Sequence, residues 1–511
     1  MKKFISMVFN RIFFTALFMA VQIFAVVYVV TLFREKFTLF YIVCILISAA
    51  LVVHVINMNS NPAYKIAWII PIVLLPVFGT LLYLMFGKNR LPKWKKERMQ
   101  DIQNKYDETM KGLPSSIEKL RAENEDAALQ AGYIEKVAAV PVFEKTETLY
   151  LESGEVMFEH MLEELQKAKR FIFLEYFIIR PGEMWDSILA ILEEKVKAGL
   201  DVRVLYDDLG CIFNLSSRYF EILEAKGIRC CPFNRLVPIL SSRFNNRDHR
   251  KICVIDGVVG FTGGVNLADE YINAFVRHGH WQDCGIMLRG DAVWSFTVMF
   301  LSMWGFASKT RDDFLKFRPS PEALESVRDD GYVMPFTDTP IDDEAVGETV
   351  YMNMISRAKR YVYICTPYLV IDNEMVTCLT AAAKSGIDVR IIVPHIPDKK
   401  LVHALTRSFY EILIANGVKV YEYTPGFMHS KTFLCDDEYG VVGSINLDYR
   451  SLYLHYECAA WLYGCSALAV MKAEYLGTLE KCEEITLEWC LKVEWYKRLG
   501  HSILRAFAPI V

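Results

Sequence analysis

Two segments of the chain carry the same arrangement of residues that can perform nucleophilic and acid–base chemistry. The arrangement is H-x-K-x4-D-x6-G-(G/S)-x-N, and its copies are His249, Lys251, Asp256, Gly263, Gly264 and Asn266, and His429, Lys431, Asp436, Gly443, Ser444 and Asn446. Side chains two residues apart on a strand project from the same face, so each His and Lys pair is predicted to face one site. Histidine has an ordinary pKa of about 6.5, which suits it to serve as nucleophile, acid or base.

Brought together, these residues predict the transfer of a phosphodiester. We predict a catalytic set of His249, Lys251, Asp256, His429, Lys431 and Asp436 and a phosphate-binding set of Asn266, Ser444 and Asn446. The lysines and asparagines supply positive charge and hydrogen-bond donors where phosphoryl charge develops. His249 is predicted to attack phosphorus and form a phosphohistidine, while His429 protonates the leaving oxygen and then activates the incoming alcohol.

Each imidazole also needs a partner that fixes its tautomer. Asp283 and Glu457 each open a predicted strand that ends seven residues later, at Gly290 and Gly464, and we predict that they orient the two histidines. Within the catalytic set, the two motif aspartates lie farther along their strands and are expected to support the turn. The sequence offers no complete set of metal ligands and no P-loop, so no metal and no other cofactor is predicted.

A longer internal repeat surrounds the two motifs. AKRFIF at 168–173 returns as AKRYVY at 358–363, and GLDVR at 199–203 returns as GIDVR at 386–390. Apolar runs predict strands over Phe171–Ile179, Val202–Tyr206, Tyr361–Val370 and Val389–Val393. Helical spacing predicts helices over Met184–Ala198 and Glu374–Ser385, each followed by a glycine, Gly199 or Gly386. The sequence therefore predicts an α/β fold with two equivalent halves packed about a pseudo-twofold axis as one catalytic unit.

The first ninety residues are apolar enough to predict a membrane anchor. Ile12–Leu32, Phe37–Val55 and Ile66–Phe86 are each about twenty residues without Asp, Glu, Lys or Arg, but Pro71 and Pro76 interrupt the third, which leaves two or three spans. The predicted parts are residues 1–90 as anchor, 91–134 as charged helical spacer, 135–328 as first half, 329–344 as connector and 345–511 as second half.

Charge and cysteine content predict where the large region lies. Basic residues cluster directly after the third apolar stretch, and the 13 cysteines show no C-x-x-C pair, which predicts free thiols. We therefore expect a multi-pass protein of the cell membrane with its catalytic region in the cytoplasm. The net charge of −4 gives no basic footprint for nucleic acid, and nothing in the sequence indicates an oligomeric state.

The double motif resembles the phospholipase D superfamily from about Glu135 to the C-terminus. GGVNLADEY at 263–271, TPY at 366–368, PGF at 425–427 and GSINLDYRS at 443–451 are similar to bacterial cardiolipin synthases. The resemblance implies that two phosphatidylglycerols are joined into cardiolipin, with release of glycerol and without metal or nucleotide. Membrane lipids would then be the partners. A hydrolytic phospholipase D, another phosphatidyltransferase and a membrane scaffold with an inactive fold remain alternatives.

This chain departs from the family pattern at two positions. Gly264 stands where the superfamily usually has Ser, and His455 stands where the branch usually has Asn before Glu457. The first departure predicts one donor fewer in the first half, and the second leaves the choice of acceptor open.

Overall fold

The computed structural model describes residues 37–87, 93–235, 246–342 and 344–510, together with scattered positions between 17 and 28. These residues form two compact units. The smaller unit contains the N-terminal helices and the chain from Ile503 onward, and the larger unit contains Lys93–Asn234 and Arg247–Ser502. All 13 cysteines are free thiols, as predicted.

Three helices in the smaller unit carry the apolar N-terminal sequence: α1 (Phe37–Ile56), α2 (Pro62–Leu74) and α3 (Pro76–Phe86). Only α1 is long and apolar enough to cross a membrane within the part of the chain described. The predicted stretch Ile12–Leu32 lies largely outside the described residues.

The third apolar stretch is two short helices and not one long one, because the chain leaves helical geometry at Leu75 and restarts at Pro76. A side chain at Gly79 would place its Cβ 1.9 Å from the Pro71 carbonyl oxygen, so glycine allows α2 and α3 to pack closely. Trp68 of α2 meets Tyr83 of α3 edge to face at 5.5 Å between ring centroids.

The larger unit begins with three helices: α4 (Lys93–Lys111), α5 (Ile117–Glu123) and α6 (Glu125–Ala138). The first packs against the first half at residues 293–308, whereas α5 and α6 pack together and α6 contacts the second half at residues 332–338 and 346–357. The strands of the first half are β1 (Thr146–Leu151), β2 (Phe171–Tyr176), β3 (Asp201–Asp207), β4 (Arg229–Phe233), β5 (Lys251–Ile255), β6 (Val259–Gly263), β7 (His280–Gln282) and β8 (Gly285–Gly290). Its helices are α7 (Gly154–Lys167), α8 (Glu183–Lys197), α9 (Tyr219–Ala225) and α10 (Val293–Ser308).

The second half repeats this plan with additions. Its strands are β9 (Tyr332–Asp338), β10 (Tyr361–Cys365), β11 (Leu369–Val370), β12 (Asp388–Pro394), β13 (Lys419–Tyr423), β14 (Gly426–Met428), β15 (Thr432–Cys435), β16 (Tyr439–Gly443), β17 (Leu447–Asp448), β18 (Glu457–Tyr463) and β19 (Cys482–Ile485). Its helices are α11 (Val346–Arg357), α12 (Asn373–Lys384), α13 (Lys400–Ser408), α14 (Tyr410–Ile414), α15 (Tyr449–Tyr453), α16 (Ala467–Leu479), α17 (Leu487–Leu491) and α18 (Trp495–Ala506).

The two main sheets follow the same path. The first has the order β1-β8-β6-β5-β2-β3-β4, and the second has β9-β18-β16-β15-β10-β12-β13 with β19 added at its edge. The β2–β3 and β10–β12 pairs are parallel, which fits the predicted alternation of strands and helices. Gly199 and Gly386 follow α8 and α12 with φ of +90° and +95°, a conformation in which glycine replaces other residues at little cost.

Equivalent strands meet where the two sheets contact each other. The strand β6 contacts its counterpart β16, and the β6–β18 contact has a reciprocal in the contact between β8 and β16. This reciprocity is what a twofold arrangement produces. The predicted α/β fold with two related halves is therefore confirmed. The predicted connector 329–344 contains strand β9, which pairs with β18 along its full length.

Candidate active site

The two motif histidines lie on short segments that lead into β5 and β15. The backbone amide of His249 donates to the Tyr456 carbonyl at 2.9 Å, and that of His429 donates to the Gln282 carbonyl at 2.7 Å. Each histidine is thus held by the opposite half of the molecule. A neighbouring pair of short strands, β7 and β14, joins the halves in parallel register at the same place.

The orienting carboxylates are exchanged between the halves. His249 Nδ1 lies 2.9 Å and 3.0 Å from the two carboxylate oxygens of Glu457, and His429 Nδ1 lies 2.6 Å from Asp283 Oδ2. Both carboxylates are fully buried. Neither half alone contains a histidine together with its acid, so the proposed chemistry requires both halves to be docked.

Burial and positive charge keep the imidazoles neutral. The pKa of His429 falls to about 4 because the ring is buried and Lys431 is close, although Asp283 opposes the shift. The pKa of His249 falls well below its ordinary value, first through burial and then through the charges of Lys251 and Lys431. A neutral imidazole with Nδ1 against a carboxylate holds its proton on Nδ1, which leaves Nε2 as the free base.

The two motif lysines place positive charge next to the histidines. Each ammonium group donates to the carbonyl of the histidine two residues earlier, at 2.5 Å for both Lys251 and Lys431. Burial lowers the pKa of Lys251 to about 8 and that of Lys431 to about 7. A buried ammonium gains stability from an anion, so this pair suits a phosphate.

The three predicted phosphate ligands are placed differently from one another. Asn266 Oδ1 accepts the Ile178 amide at 3.0 Å, and its Nδ2 donates to the Tyr271 hydroxyl at 2.7 Å. Asn446 Oδ1 is buried and makes no hydrogen bond to any described residue. Ser444 Oγ donates to Glu457 at 2.5 Å, so it holds the orienting carboxylate. A buried carboxylate needs such a donor.

The motif aspartates lie away from the imidazoles, at the turns that follow β5 and β15, where the sequence predicted that they support the turn. Asp256 follows β5 at the end opposite Lys251, where its carboxylate accepts three backbone amides from residues 169 to 171 at 2.7 to 2.9 Å. Asp436 accepts the amides of residues 359 to 361 at 2.6 to 2.8 Å in the same way. Both adopt a left-handed φ near +57° and clamp the turn to the start of the neighbouring strand.

Aromatic residues that the motif did not identify line the histidines. Phe177 packs edge-on to His249 at 5.1 Å, and Tyr271 and Trp281 pack on His429 at 5.4 and 5.1 Å. Trp281 precedes Asp283 by two residues, just as His455 precedes Glu457. Aligning the two halves on these acids would have identified Trp281 from the sequence.

His455 is a third histidine beside the pair. Its ring lies 5.5 Å from that of His249, and its Nδ1 lies 3.7 Å from Glu457 Oε1. Neither ring nitrogen makes a hydrogen bond to a described residue, and burial lowers the pKa of His455 to about 3. His249, His455 and Glu457 have ligand-type atoms within 4.8 Å of one another. The lysine charges that disfavour protonation of His249 also oppose a cation there.

The amino-acid sequence matches two known protein families. The chain matches the family described as "Cardiolipin synthase, PLD-like domain" over residues 161–278 and 351–476, one match in each half. Residues 45–88 match "Phospholipase_D-nuclease N-terminal".

Relatives match along most of the chain. A cardiolipin synthase of Halalkalibacterium halodurans is 34% identical over 89% of this chain and 90% of its own length. One from a Geobacillus species is 36% identical over 91% and 92%. An uncharacterized protein of Streptococcus mutans is 41% identical over 90% and 99%.

Among solved structures, a phosphatidylserine synthase of Haemophilus influenzae has a TM-score of 0.56 at 16% identity, covering 74% of this chain and 97% of its own. That similarity concerns the fold alone. The family match in both halves and the full-length relatives have one consequence: the chain belongs to the cardiolipin synthase family of phospholipase D-like phosphatidyltransferases.

Proposed function

We propose that the chain transfers the phosphatidyl group of one phosphatidylglycerol to a second, forming cardiolipin and releasing glycerol. The crossed pairs His249–Glu457 and His429–Asp283 carry the proposal, since they present two neutral imidazoles over two buried lysines. One phosphodiester is exchanged for another, so the reaction needs no activated donor. The family supports a phospholipid substrate.

In the first step, Nε2 of His249 attacks phosphorus and the bond from phosphorus to the glycerol oxygen breaks. His429 gives its proton to that oxygen, so glycerol leaves and a phosphohistidine remains. In the second step, a hydroxyl of the second phosphatidylglycerol transfers its proton to His429 and attacks phosphorus. The P–N bond breaks and His249 is regenerated.

The surroundings of the two histidines favour this division of roles. For His429 the neighbouring Asp283 works against the lowering of the pKa, which leaves it at about 4. For His249 burial and the charges of Lys251 and Lys431 lower the pKa well below its ordinary value. The bound phosphodiester adds a negative charge that raises the pKa of both histidines. Asp283 supports protonation of His429, as the role of general acid requires.

Product analysis with purified full-length protein tests the proposed reaction. Labelled phosphatidylglycerol in vesicles should yield labelled cardiolipin and free glycerol by mass spectrometry. His249→Ala and His429→Ala should each abolish the product, whereas His160→Ala on α7 should not. Phosphatidic acid without cardiolipin would show a hydrolase and overturn the proposal. Enzyme quenched in denaturant at neutral pH should carry the phosphatidyl group on His249, and its recovery on His429 would reverse the roles.

We also propose a multi-pass membrane protein with its catalytic unit in the cytoplasm. The helix α1, the apolar pair α2 and α3, the basic residues after Phe86 and the free thiols support this orientation. A C-terminal tag on the full chain should become accessible to antibody only after the cells are permeabilised. Labelling of intact cells would contradict the orientation. The boundaries of the five parts of the chain remain predictions from the sequence.

A further inference from the structure

The helix α18 near the C-terminus exposes its apolar side. None of its residues is buried, and Trp495, Tyr496, Leu499 and Ile503 are 76%, 54%, 54% and 54% exposed. At about 100° per residue these four positions fall on one side of the helix. Such exposure of two aromatic and two aliphatic residues side by side on one short helix is uncommon in a soluble surface.

The opposite side of α18 is basic and carries Lys497, Arg498, His501 and Arg505. Arg498 attaches the helix to the protein through both carboxylate oxygens of Glu411 at 2.8 and 3.1 Å, while Lys497 and Arg505 are exposed. The helix is thus oriented opposite to an ordinary surface helix, with a polar contact inward and an apolar stripe outward. Ordinary core packing does not account for it.

The chain beyond α18 leads to apolar surroundings. In the smaller unit, the single turn Ala508–Ile510 packs against α2, an apolar helix of the N-terminal sequence whose one charged residue is Lys65. Trp and Tyr prefer the boundary between lipid headgroups and acyl chains, and basic side chains beside them attract anionic headgroups. These preferences identify the occupant of the apolar stripe as a lipid surface.

We propose that α18 lies in the interface of a bilayer that contains anionic phospholipid, with Trp495, Tyr496, Leu499 and Ile503 inserted among the lipids. This contact goes beyond the transfer reaction, because it binds the surface of the membrane and not the lipid being converted. It provides an attachment in the second half of the chain, in addition to the N-terminal helices. The Lys497 and Arg505 charges favour anionic over zwitterionic headgroups.

Quenching by brominated lipid in vesicles containing phosphatidylglycerol tests the insertion with the full chain. Trp495→Phe should remove a strongly quenched part of the tryptophan fluorescence. Trp489→Phe is the matched control, because Trp489 is partly buried against Arg407 at 5.2 Å and should lose unquenched fluorescence only. Equal quenching in the two variants would overturn the proposal. So would protection of α18 from hydrogen exchange that depends on protein concentration and not on lipid, which indicates a second copy of the chain.

Activity separates this contact from catalysis. Leu499→Gln should lower kcat/KM about tenfold on vesicle phosphatidylglycerol, because an inserted leucine side chain is lost. It should leave kcat/KM unchanged on a short-chain, monomeric phosphatidylglycerol. Equal losses on both substrates would refute an interfacial role. Quenching does not require turnover and can be repeated in His249→Ala, so a failure of the proposed reaction would leave this result readable.

Discussion

The two halves hold their orienting carboxylates by different means although they share one strand order. In the second half, Ser444 donates to Glu457 and also accepts the Cys458 amide at 3.0 Å. In the first half the equivalent position is Gly264, where a Cβ would lie 2.0 Å from Asp283 Oδ1. Asp283 accepts the Cys284 amide at 2.9 Å. The first half therefore combines the shorter acid, Asp283, with a glycine at position 264, because a side chain there would clash with the carboxylate.

The comparison of the two halves explains the glycine at position 264, which in the sequence looked like the loss of a hydrogen-bond donor. Gly264 supplies no hydroxyl, but the hydroxyl of its counterpart Ser444 donates to the carboxylate of Glu457. The first half thus uses a backbone amide where the second uses a serine. Because the acids are exchanged between halves, a change at Gly264 affects His429, and a change at Ser444 affects His249.

The largest effect should come from removing either carboxylate charge. Asp283→Asn and Glu457→Gln should each lower kcat about 10³- to 10⁴-fold, because an amide does not stabilise the imidazolium and can hold the wrong tautomer. Cardiolipin formation from labelled phosphatidylglycerol measures the effect, and circular dichroism checks folding. The exposed Glu483→Gln on β19 is the control. Losses below tenfold would show that the crossed pairs do not govern the chemistry.

A smaller and unequal effect is expected at the positions beside the acids. Gly264→Ala should lower kcat about 10²-fold, because its Cβ would also lie 2.9 Å from the His429 carbonyl oxygen and must displace the Asp283 carboxylate. Ser444→Ala removes one hydrogen bond to Glu457 and should cost about tenfold. Kinetics of the two variants under identical conditions give the ratio. A greater loss at Ser444 would refute the idea that Gly264 and Asp283 compensate each other.

Much of the fold and the paired motif could be predicted because they depend on local sequence. Periodicity identified the strands later seen as β2, β3, β10 and β12, and the glycines after α8 and α12 marked the helix ends. The repeat itself implied equivalent halves. The strand β9 was not predicted within the connector, because its formation depends on the distant β18 and its sequence contains Pro335.

The exchange of acids could not be predicted, since a repeat shows which residues are equivalent but not which copy contacts which. That information lies in the docking of β6 and β8 against β16 and β18. The contact of Ser444 was hidden for the same reason, and the sequence predicted support of the turn by Asp256 and Asp436 without their backbone partners. Each depends on a partner about 13 to 87 residues away in sequence that only the folded chain brings close.

The lysines should set an alkaline limit to substrate capture. The free-enzyme pKa values of about 7 for Lys431 and about 8 for Lys251 mean that both lose their protons as the pH rises above 8. Phosphate binding favours the protonated forms, so kcat/KM should fall by at least about tenfold per pH unit beyond that point. In kcat the limit should move to higher pH, because the bound anion raises both values.

Lys431→Arg tests this assignment. Arginine stays charged at all accessible pH, so the part of the alkaline fall that begins near pH 7 should disappear even if the overall rate is lower. Lys400→Arg, at the exposed start of α13, should leave the profile unchanged. An unaltered limit in Lys431→Arg would assign the titration to another group.

The smallest effect is expected where the halves differ most in residue type, at Trp281 and His455. Burial keeps His455 neutral, with a pKa of about 3, so His455→Asn removes no charge and leaves both contacts of Glu457 to His249 intact. We expect kcat to change by about threefold or less. The free ring nitrogens of His455 suit an acceptor hydroxyl, so the variant should raise the ratio of phosphatidic acid to cardiolipin.

Trp281→Phe is the counterpart in the other half, because it keeps an aromatic ring against His429 and removes only the indole N–H, 3.4 Å from Asp283. It should leave the ratio of products unchanged. Product ratios from one labelled substrate decide the matter for both variants. If His455→Asn lowered kcat more than a hundredfold, His455 would belong to the reacting groups. If it left the ratio unchanged, the difference between the halves would have no part in the choice of acceptor.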